Sequence, residues 1–258
     1  MGIPQNAEMI PQVLQRAGYT PRAVGKVRYH SVVIKNSKQA FSIEDIYMHF
    51  PSSQHKVDLF RHWTFLKWHI GSARWEHTPS FKGFKSFYGM HAHGAQDYYK
   101  HTHTQMKSLY DMWYDKKEFC GRGCSEVMDE RGNYTTDVFT RESIKVVDRH
   151  NTAEEGPLFL YLAYTAPHTP LQVPQKYLDY YEGKGLSRRQ QVYRGMITAA
   201  DESLGEVIGA LKRKDMWEDT LVIYTSDNGA AWIGSNYPLK GGKMEIWEGG
   251  VISDGIIR

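Results

Sequence analysis

The sequence predicts an α/β protein whose sheet is largely parallel or mixed. Two apolar runs, PLFLYLAYT at residues 157–165 and DTLVIYTSD at residues 219–227, are short and rich in aromatic and β-branched side chains. Runs that are apolar throughout are typical of strands buried on both faces. Between them, residues 187–213 carry apolar side chains at helical spacing. The order strand, long helix, strand is that of a βαβ unit.

Three weaker patterns extend this prediction. Residues 7–17 read as a helix that stops at Gly18, and residues 135–149 read as a second helix that begins with Thr-Thr-Asp as candidate caps. Residues 21–26, PRAVGK, read as a third strand. Strands and helices that alternate in this way again indicate an α/β protein.

Composition excludes several classes of protein. The chain has 258 residues, 41% of them hydrophobic and 24% charged, which is ordinary for a globular protein with a substantial core. A net charge of +3 without a basic block does not indicate a nucleic-acid partner. We find no apolar run of the roughly 18 residues that a membrane span needs, and no signal peptide.

The two cysteines, Cys120 and Cys124, stand in CGRGC. A zinc site would need two more suitably spaced ligands, so metal binding by these thiols is not expected. A local disulfide and a pair of free thiols both remain open. The triplet NYT at Asn133 fits a glycosylation acceptor, although such triplets often arise by chance.

Polar residues follow both strong strands, which we expect to be neighbours in the sheet. The first strand leads into TAPHTP, where His168 lies between prolines, and the second ends in Asp227-Asn228. Ligands of open α/β sheets bind beyond the carboxyl ends of the strands. A carboxylate beside an amide oxygen suits calcium or magnesium, while a stiff loop at His168 and a simple Asn-Gly turn after Asp227 are the alternatives.

Two further segments add cations. KGGK places Lys240 and Lys243 around a glycine pair that permits close approach of a ligand. KWHIG places Lys67 and His69 on one face if the segment is extended. Lysine pairs usually lie on the solvated surface of a protein without a specific role. Taken with Asp227, however, the set suits a doubly charged oxyanion bound to a divalent cation.

These motifs resemble the sulfatase family, in particular the arylsulfatase B type. The resemblance is carried, in order, by VLQRAGYTPRAVGK, GFKSFYG, PLFLYLAYTAPHTPLQVPQKYLDYY, YRGMITAADESLGEVIGALK, DTLVIYTSDNGA and YPLKGGKMEIWEGGV. It implies an alkaline-phosphatase-like fold: a mixed, mostly parallel sheet flanked by helices, here incomplete. It also favours the cation site over the turn.

One segment interrupts the resemblance. The family reads V-G-K-W-H-[IL]-G without a break, whereas residues 27–67 here separate AVGK from KWHIG and contain no glycine. We interpret these residues as a non-family insertion, and a retained intron is one hypothesis for its origin. The family's lysine is then either Lys26 or Lys67. We favour Lys67, because it keeps the spacing to His69.

The resemblance implies a role for each site residue. Asp227 and Asn228 would be one half of the ligand set of a single calcium ion. Lys67 and His69 would face a formylglycine nucleophile. The other two residues would hold or protonate the substrate, with sulfate gripped by Lys243 and the leaving alcohol bound or protonated by His168.

Some elements of the family pattern are absent. We find neither the paired acids that complete the calcium site nor Cys-x-Pro-x-Arg, the source of the formylglycine, and the smaller C-terminal domain is not represented. The family's arginine after GGV is Ile252 here. We therefore expect residues 1–258 to be a partial catalytic domain that, without its nucleophile, has no turnover by itself.

The expected function is hydrolysis of sulfuric esters of aryl or glycan substrates through formylglycine and calcium. The alternatives are a non-catalytic binder of sulfated glycans, and a phosphatase or phosphodiesterase of the same superfamily. The expected partner is a sulfated small molecule or glycan, with no nucleic acid and no membrane span. By resemblance the location would be lysosomal or extracellular, along the secretory pathway. The natural substrate and the oligomeric state stay open.

Overall fold

The computed structural model describes residues 6–26, 30–35, 74–92, 96–104 and 109–258, with the backbone alone for residues 30–35. In this part of the chain, one eight-stranded sheet has the order β5-β4-β3-β1-β6-β2-β7-β8. The strands are β1 Thr20–Lys26, β2 His30–Lys35, β3 Ser86–Met90, β4 Trp113–Asp115, β5 Ser125–Val127, β6 Leu158–Ala163, β7 Thr220–Thr225 and β8 Gly255–Ile257.

Most of these strands point the same way. β1 is parallel to β3 and β6, and β2 is antiparallel to both β6 and β7, so β7 runs in the direction of β6. β4 is antiparallel to β3 and to β5. Five of the eight described strands therefore share one direction, while β2, β4 and β8 oppose them. The predicted mixed, mostly parallel sheet is confirmed.

β2 changes one expectation from the sequence. The strands at residues 157–165 and 219–227 are present as β6 and β7, but they are not neighbours, because β2 pairs with both of them. Their axes are thus two strand spacings apart, about 10 Å. β2 comes from the segment at residues 27–67, so at least this part of the interruption belongs to the centre of the sheet.

Helices flank the sheet as the sequence predicts. The two long helices match the predicted ranges 135–149 and 187–213 to within a residue. The helices are α1 Ile10–Arg16, α2 Thr135–Arg149, α3 Thr152–Glu155, α4 Gln175–Asp179, α5 Arg188–Arg213 and α6 Glu248–Val251, with 3₁₀ turns at Trp75–His77 and Pro79–Lys82. A capping box sets the start of α5, because Ser187 and Gln190 each bond the other's backbone N–H.

The two faces of the sheet carry different cores. Alternate side chains of β6 point to opposite faces: Leu160 belongs to a cluster with α2 and α5, and Phe159 to a cluster near α1. The larger cluster includes Val138 and Phe139 of α2 and Leu211 of α5, all fully buried. β6 is therefore covered on both faces, as its uninterrupted apolar sequence predicts.

The two cysteines form a disulfide, which decides between the two alternatives left open by the sequence. Cys120 and Cys124 are joined with a Cα–Cα distance of 5.5 Å. Cys120 is fully buried, and Ser80 Oγ contacts its carbonyl oxygen at 3.4 Å.

Among the helices in the described ranges, none combines the length and the apolar character that crossing a bilayer requires.

Candidate functional site

The carboxyl ends of β1, β6 and β7 lie at the same edge of the sheet, because these strands share one direction. Lys26 is the last residue of β1. The chain continues from β6 to His168 and from β7 to Asp227 and Asn228. The sequence prediction that these strand ends share an edge is therefore met, with β2 interposed between two of them.

Asp227 follows the end of β7, which is at Thr225. Both of its carboxylate oxygens are buried from solvent. Its charge also reaches the phenol of Tyr161 on β6: burial raises the pKa of Tyr161, and the negative charge of Asp227 raises that pKa further. The carboxylate therefore lies on the sheet side of its loop, within electrostatic reach of β6.

Asn228 is held by local hydrogen bonds. Its side-chain Nδ2 donates to the backbone carbonyl oxygen of Gly229 at 2.9 Å. The backbone carbonyl oxygen of Asn228 accepts from Ser226 Oγ at 3.0 Å. Because the amide nitrogen is engaged with Gly229, the amide oxygen is the atom suited to face a cation.

Lys243 is tied to the segment that follows Asp227. Its backbone N–H donates to the carbonyl oxygen of Ala230 at 3.1 Å, and the residue is half-buried. Asn236 closes the loop between them: its Oδ1 accepts from Ala230 N at 2.6 Å, and its Nδ2 donates to the carbonyl oxygens of Ala230 and Gly241. The predicted metal pair and the predicted sulfate-binding lysine therefore belong to one hydrogen-bonded loop.

Glycines allow this loop to pack backbone against backbone. A Cβ on Gly229 would lie 1.8 Å from the carbonyl oxygen of Gly249, and one on Gly249 would lie 2.4 Å from that of Gly241. A Cβ on Gly250 would lie 2.4 Å from the carbonyl oxygen of Gly242. The sequence suggested that the Gly241-Gly242 pair lets a ligand approach. In the structure, the close approach is between KGGK and the start of α6.

His168 follows β6 in a tight loop. Its backbone N–H donates to the carbonyl oxygen of Thr165 at 2.9 Å, and its own carbonyl oxygen accepts from Tyr98 Oη at 3.0 Å. The ring Nδ1 lies 2.6 Å from the carbonyl oxygen of Thr169. A carbonyl oxygen can only accept, so Nδ1 carries the hydrogen and Nε2 is the basic nitrogen of the neutral ring.

Lys26 also lies at this edge, at the end of β1. It is 4% exposed and stands in register with Met90 of β3. The other two predicted residues, Lys67 and His69, lie outside the described residues, so our preference for Lys67 stays a prediction. The sequence already placed Lys26 at the end of a predicted strand, which was a signal that it could belong to the site.

His91, which sequence reasoning missed, directly follows β3 at the same edge. Its imidazole packs against Phe87 and Trp113, with ring centroids 4.7 and 6.1 Å away. Its backbone N–H donates to Asp111 Oδ1 at 3.0 Å, and Asp111 Oδ2 accepts from the backbone N–H of Ala92 at 2.9 Å. The only available signal was the strand pattern SFYGM that ends just before it.

Two of the described residues have the donor types of a metal site. Within the described ranges, no group of three or more His, Cys, Asp or Glu residues is arranged to hold a metal ion. Asp227 and Asn228 fit a hard cation by donor type, one giving buried carboxylate oxygens and the other an amide oxygen. They would be two of the six to eight oxygens that calcium takes.

The sheet order and its flanking helices define an α/β protein of the alkaline-phosphatase-like fold. Within that class, the chain belongs to the Sulfatase family, whose model matches residues 1–258. It is 36% identical over 195 residues to Arylsulfatase J of Mus musculus, covering 74% of this chain and 31% of that protein.

Two further comparisons extend over nearly the whole chain. N-acetylgalactosamine-6-sulfatase of Mus musculus is 26% identical over 264 residues, covering 97% of this chain and 39% of the relative. The crystal structure of Ps i-CgsB in complex with k-i-k-neocarrahexaose has a TM-score of 0.71 and 25% identity, covering 100% of this chain and 48% of that one. The chain thus spans less than half the length of these relatives.

Proposed function

We propose that this chain is part of the catalytic domain of a sulfatase, and that its strand-end edge binds a sulfate ester beside a calcium ion. The observation that carries the proposal is the single loop that joins Asp227 and Asn228 to Lys243 through Asn236. This loop lies at the edge where β1 and β6 also end. Family membership supports sulfate as the anion.

Lysine charges would bind the sulfate oxygens. Lys243 is half-buried on the loop, and Lys26 is buried at the end of β1. An ammonium group is a compact point charge, and partial burial strengthens its attraction for an anion. The choice between Lys26 and Lys67 as the family's lysine remains open, and the position of Lys26 on β1 supports it. His69 would act with Lys67 if that residue is used.

His168 would bind the sulfate ester or protonate the leaving alcohol. Its Nδ1–H donates to the carbonyl oxygen of Thr169, which fixes the tautomer, so a proton exchanged with the substrate would move through Nε2. An imidazole titrates near neutral pH, as a proton donor to a leaving group must.

Calcium would be held by Asp227 and Asn228, together with ligands beyond these two. When bound, the ion would neutralise charge on the sulfate oxygens. The nucleophile is a separate matter. Both cysteines of the 258-residue sequence are joined in the disulfide, and neither stands in a Cys-x-Pro-x-Arg motif. We therefore expect this chain by itself to bind sulfate without turning over a sulfate ester.

The substrate class we propose is a sulfated glycan. The names of the relatives support a sugar: one is an N-acetylgalactosamine-6-sulfatase, and one similar structure holds a neocarrahexaose. The secretory pathway is the proposed location. The disulfide supports it, because disulfides persist in oxidising compartments.

Sulfate binding to the purified chain tests this function. Titration with inorganic sulfate in the presence of calcium, followed by calorimetry, should show binding that Lys243→Ala weakens by about tenfold or more, since a charge-assisted hydrogen bond contributes about 1.5–3 kcal/mol. Lys145→Ala is the matched control, because Lys145 lies on α2 and pairs with Glu142. Equal sulfate affinity in Lys243→Ala and the unmodified chain would contradict the proposal. Tighter binding of phosphate than of sulfate would favour the phosphatase alternative.

A further inference from the structure

The 258-residue sequence contains one N-glycosylation triplet, Asn133-Tyr134-Thr135. Its middle residue is not proline, as the motif requires. The disulfide between Cys120 and Cys124 suits an oxidising compartment of the secretory pathway, where N-glycans are added. Many such triplets arise by chance. This one is distinguished by where the fold places its three residues.

The acceptor asparagine lies on an exposed turn. Arg131, Gly132 and Asn133 are all exposed, and the backbone N–H of Asn133 closes the turn by donating to the carbonyl oxygen of Glu130 at 3.0 Å. Gly132 has a φ of +89°, which glycine adopts without strain. N-glycans are bulky and need a surface position. A sugar attached to Asn133 would extend from this turn into solvent.

The amide of Asn133 can carry a sugar and keep its contact with the protein. Its Nδ2 donates to Glu130 Oε2 at 2.8 Å. Glu130 is 8% exposed, and its other carboxylate oxygen accepts from Tyr88 Oη at 2.7 Å. A side-chain amide nitrogen carries two hydrogens, of which N-glycosylation replaces one. An N–H therefore remains for Glu130, so the modification does not leave this buried carboxylate without its partner.

The third residue of the triplet is inaccessible in the folded chain. Thr135 is 1% exposed, and its Oγ1 donates to the backbone carbonyl oxygen of Tyr98 at 2.8 Å. The backbone N–H of Thr135 donates to the same oxygen at 2.9 Å. Tyr134, between the acceptor and the hydroxyl, is 3% exposed and stacks on Tyr98 with ring centroids 5.5 Å apart. An enzyme that recognises the hydroxyl of the triplet can therefore reach it only before the start of α2 packs against Tyr98.

We propose that Asn133 carries an N-linked glycan, and that the glycan is attached to the unfolded chain before Thr135 is buried. The transfer forms a bond between Asn133 Nδ2 and C1 of the sugar. It breaks the bond from C1 to the pyrophosphate of a lipid-linked oligosaccharide, which leaves with the bonding electron pair, and the amide gives up one proton. The inference shares the proposed secretory location, but it is independent of the sulfate site at Lys243.

Translation of the 258-residue chain with an added signal sequence, in the presence of endoplasmic-reticulum microsomes, tests the acceptor and does not require the chain to fold. The chain should gain one glycan that peptide N-glycosidase removes, and mass spectrometry of the tryptic peptide 132–141 should locate it on Asn133. Asn133→Gln and Thr135→Val should abolish the modification. Thr135→Ser should retain it, because serine also completes the triplet.

A second triplet provides the positive control. Ala153→Thr, introduced together with Asn133→Gln, creates a triplet at the exposed Asn151, which should be modified in the same microsomes. Modification of Asn151 in this variant, with Asn133 unmodified in the natural sequence, would overturn the inference. Sulfate binding plays no part in these measurements, so this failure is distinct from failure of the proposed function, which Lys243→Ala tests.

The order of events is tested with purified oligosaccharyltransferase and a lipid-linked oligosaccharide. A peptide of residues 129–140 should be modified about tenfold faster or more than the folded, unglycosylated chain, because the hydroxyl of Thr135 becomes free in that chain only through local unfolding. The same segment fused to the C-terminus of the folded Asn133→Gln chain is the matched control and should react as fast as the peptide. Equal rates at Asn133 of the folded chain and in the peptide would contradict attachment before folding.

Discussion

The backbone N–H of Lys243 donates to the carbonyl oxygen of Ala230 at 3.1 Å, which links the KGGK segment to the loop that follows β7. The same carbonyl oxygen accepts from Asn236 Nδ2 at 2.9 Å. The positions of Asn236 and Lys243 in this loop are therefore set by short-range hydrogen bonds. The bonds of the Asn236 side chain can be removed by substitution, so the contribution of this residue to the loop can be measured.

Asn236→Ala should loosen the loop. The change removes the acceptor for Ala230 N–H and two donor bonds from Nδ2. Hydrogen bonds contribute about 0.5–1.5 kcal/mol each, so we expect a loss of about 2 kcal/mol in the stability of the loop. Hydrogen exchange of the Ala230 amide should accelerate more than tenfold. Asn151→Ala, which removes the cap of α3, is the control and should leave exchange at Ala230 unaffected.

Gly249→Ala should destabilise the protein and displace KGGK. The new Cβ would meet the carbonyl oxygens of Gly241 at 2.4 Å and Lys240 at 2.7 Å, and backbone atoms cannot give way cheaply. We expect a loss of about 2–4 kcal/mol in the free energy of unfolding, measured by urea denaturation. Gly205→Ala is the matched control: no atom lies within 4 Å of its Cβ position on α5, and the change should stabilise the protein by up to about 1 kcal/mol. Equal effects at both glycines would argue against the close packing.

His101 should make stability depend on pH. Burial lowers the pKa of His101, although the bond from the ring to the carbonyl oxygen of Glu130 opposes this shift. The unfolded chain therefore binds a proton at higher pH than the folded chain does. Stability from this residue is present above the unfolded pKa of about 6.5 and is lost as pH falls below it.

The measurement for His101 is the free energy of unfolding at pH 7.5 and 5.5 in the unmodified chain and in His101→Gln. The variant should be less stable at pH 7.5, because it loses the imidazole contacts, but it should lose less additional stability at pH 5.5. An identical pH dependence in both proteins would show that His101 does not contribute.

Asp227→Asn should abolish stabilisation by calcium. If Asp227 is a ligand, calcium binds only the folded state and raises the melting temperature, by the equivalent of about 2.7 kcal/mol at a hundred times Kd. The neutral amide should remove most of that shift, whereas Asp219→Asn, an exposed acid at the opposite end of β7, should preserve it. Chelation of calcium should lower the melting temperature of the unmodified chain and leave that of the variant unchanged. A full calcium response in Asp227→Asn would exclude this carboxylate as a ligand.

The elements with strong local patterns could be predicted from the sequence. β6 and β7 are uninterrupted apolar runs, and α2 and α5 carry apolar stripes, so each can be recognised from its own sequence. Only α5 has the side-chain cap that its sequence suggests: the N-cap position of α2 is Tyr134, which makes no side-chain cap bond, so the prediction that Thr-Thr-Asp caps this helix is wrong. The position of β2 could not be predicted. Pairing of a strand with two partners more than a hundred residues away in sequence is a long-range event, and no local pattern encodes it.

The candidate site was predictable in part for the same reason. Asp227 and Asn228 directly follow a recognisable strand, and the shared direction of β6 and β7 brings their ends to one edge. The contacts of the loop depend instead on the side chain of Asn236, whose role follows only from three-dimensional geometry. The exposure of Trp232 could not be predicted from the sequence either, because exposure is a property of the folded surface.

The central position of β2 has a consequence for which codons the messenger RNA must retain. Its backbone completes ladders with Leu162 to Phe159 on one side and Thr225 to Thr220 on the other. A message that skipped codons 30–35 would leave two rows of amides facing each other across a gap about 10 Å wide, too far apart to bond. Another stretch of polypeptide would have to occupy that space to pair these backbone groups.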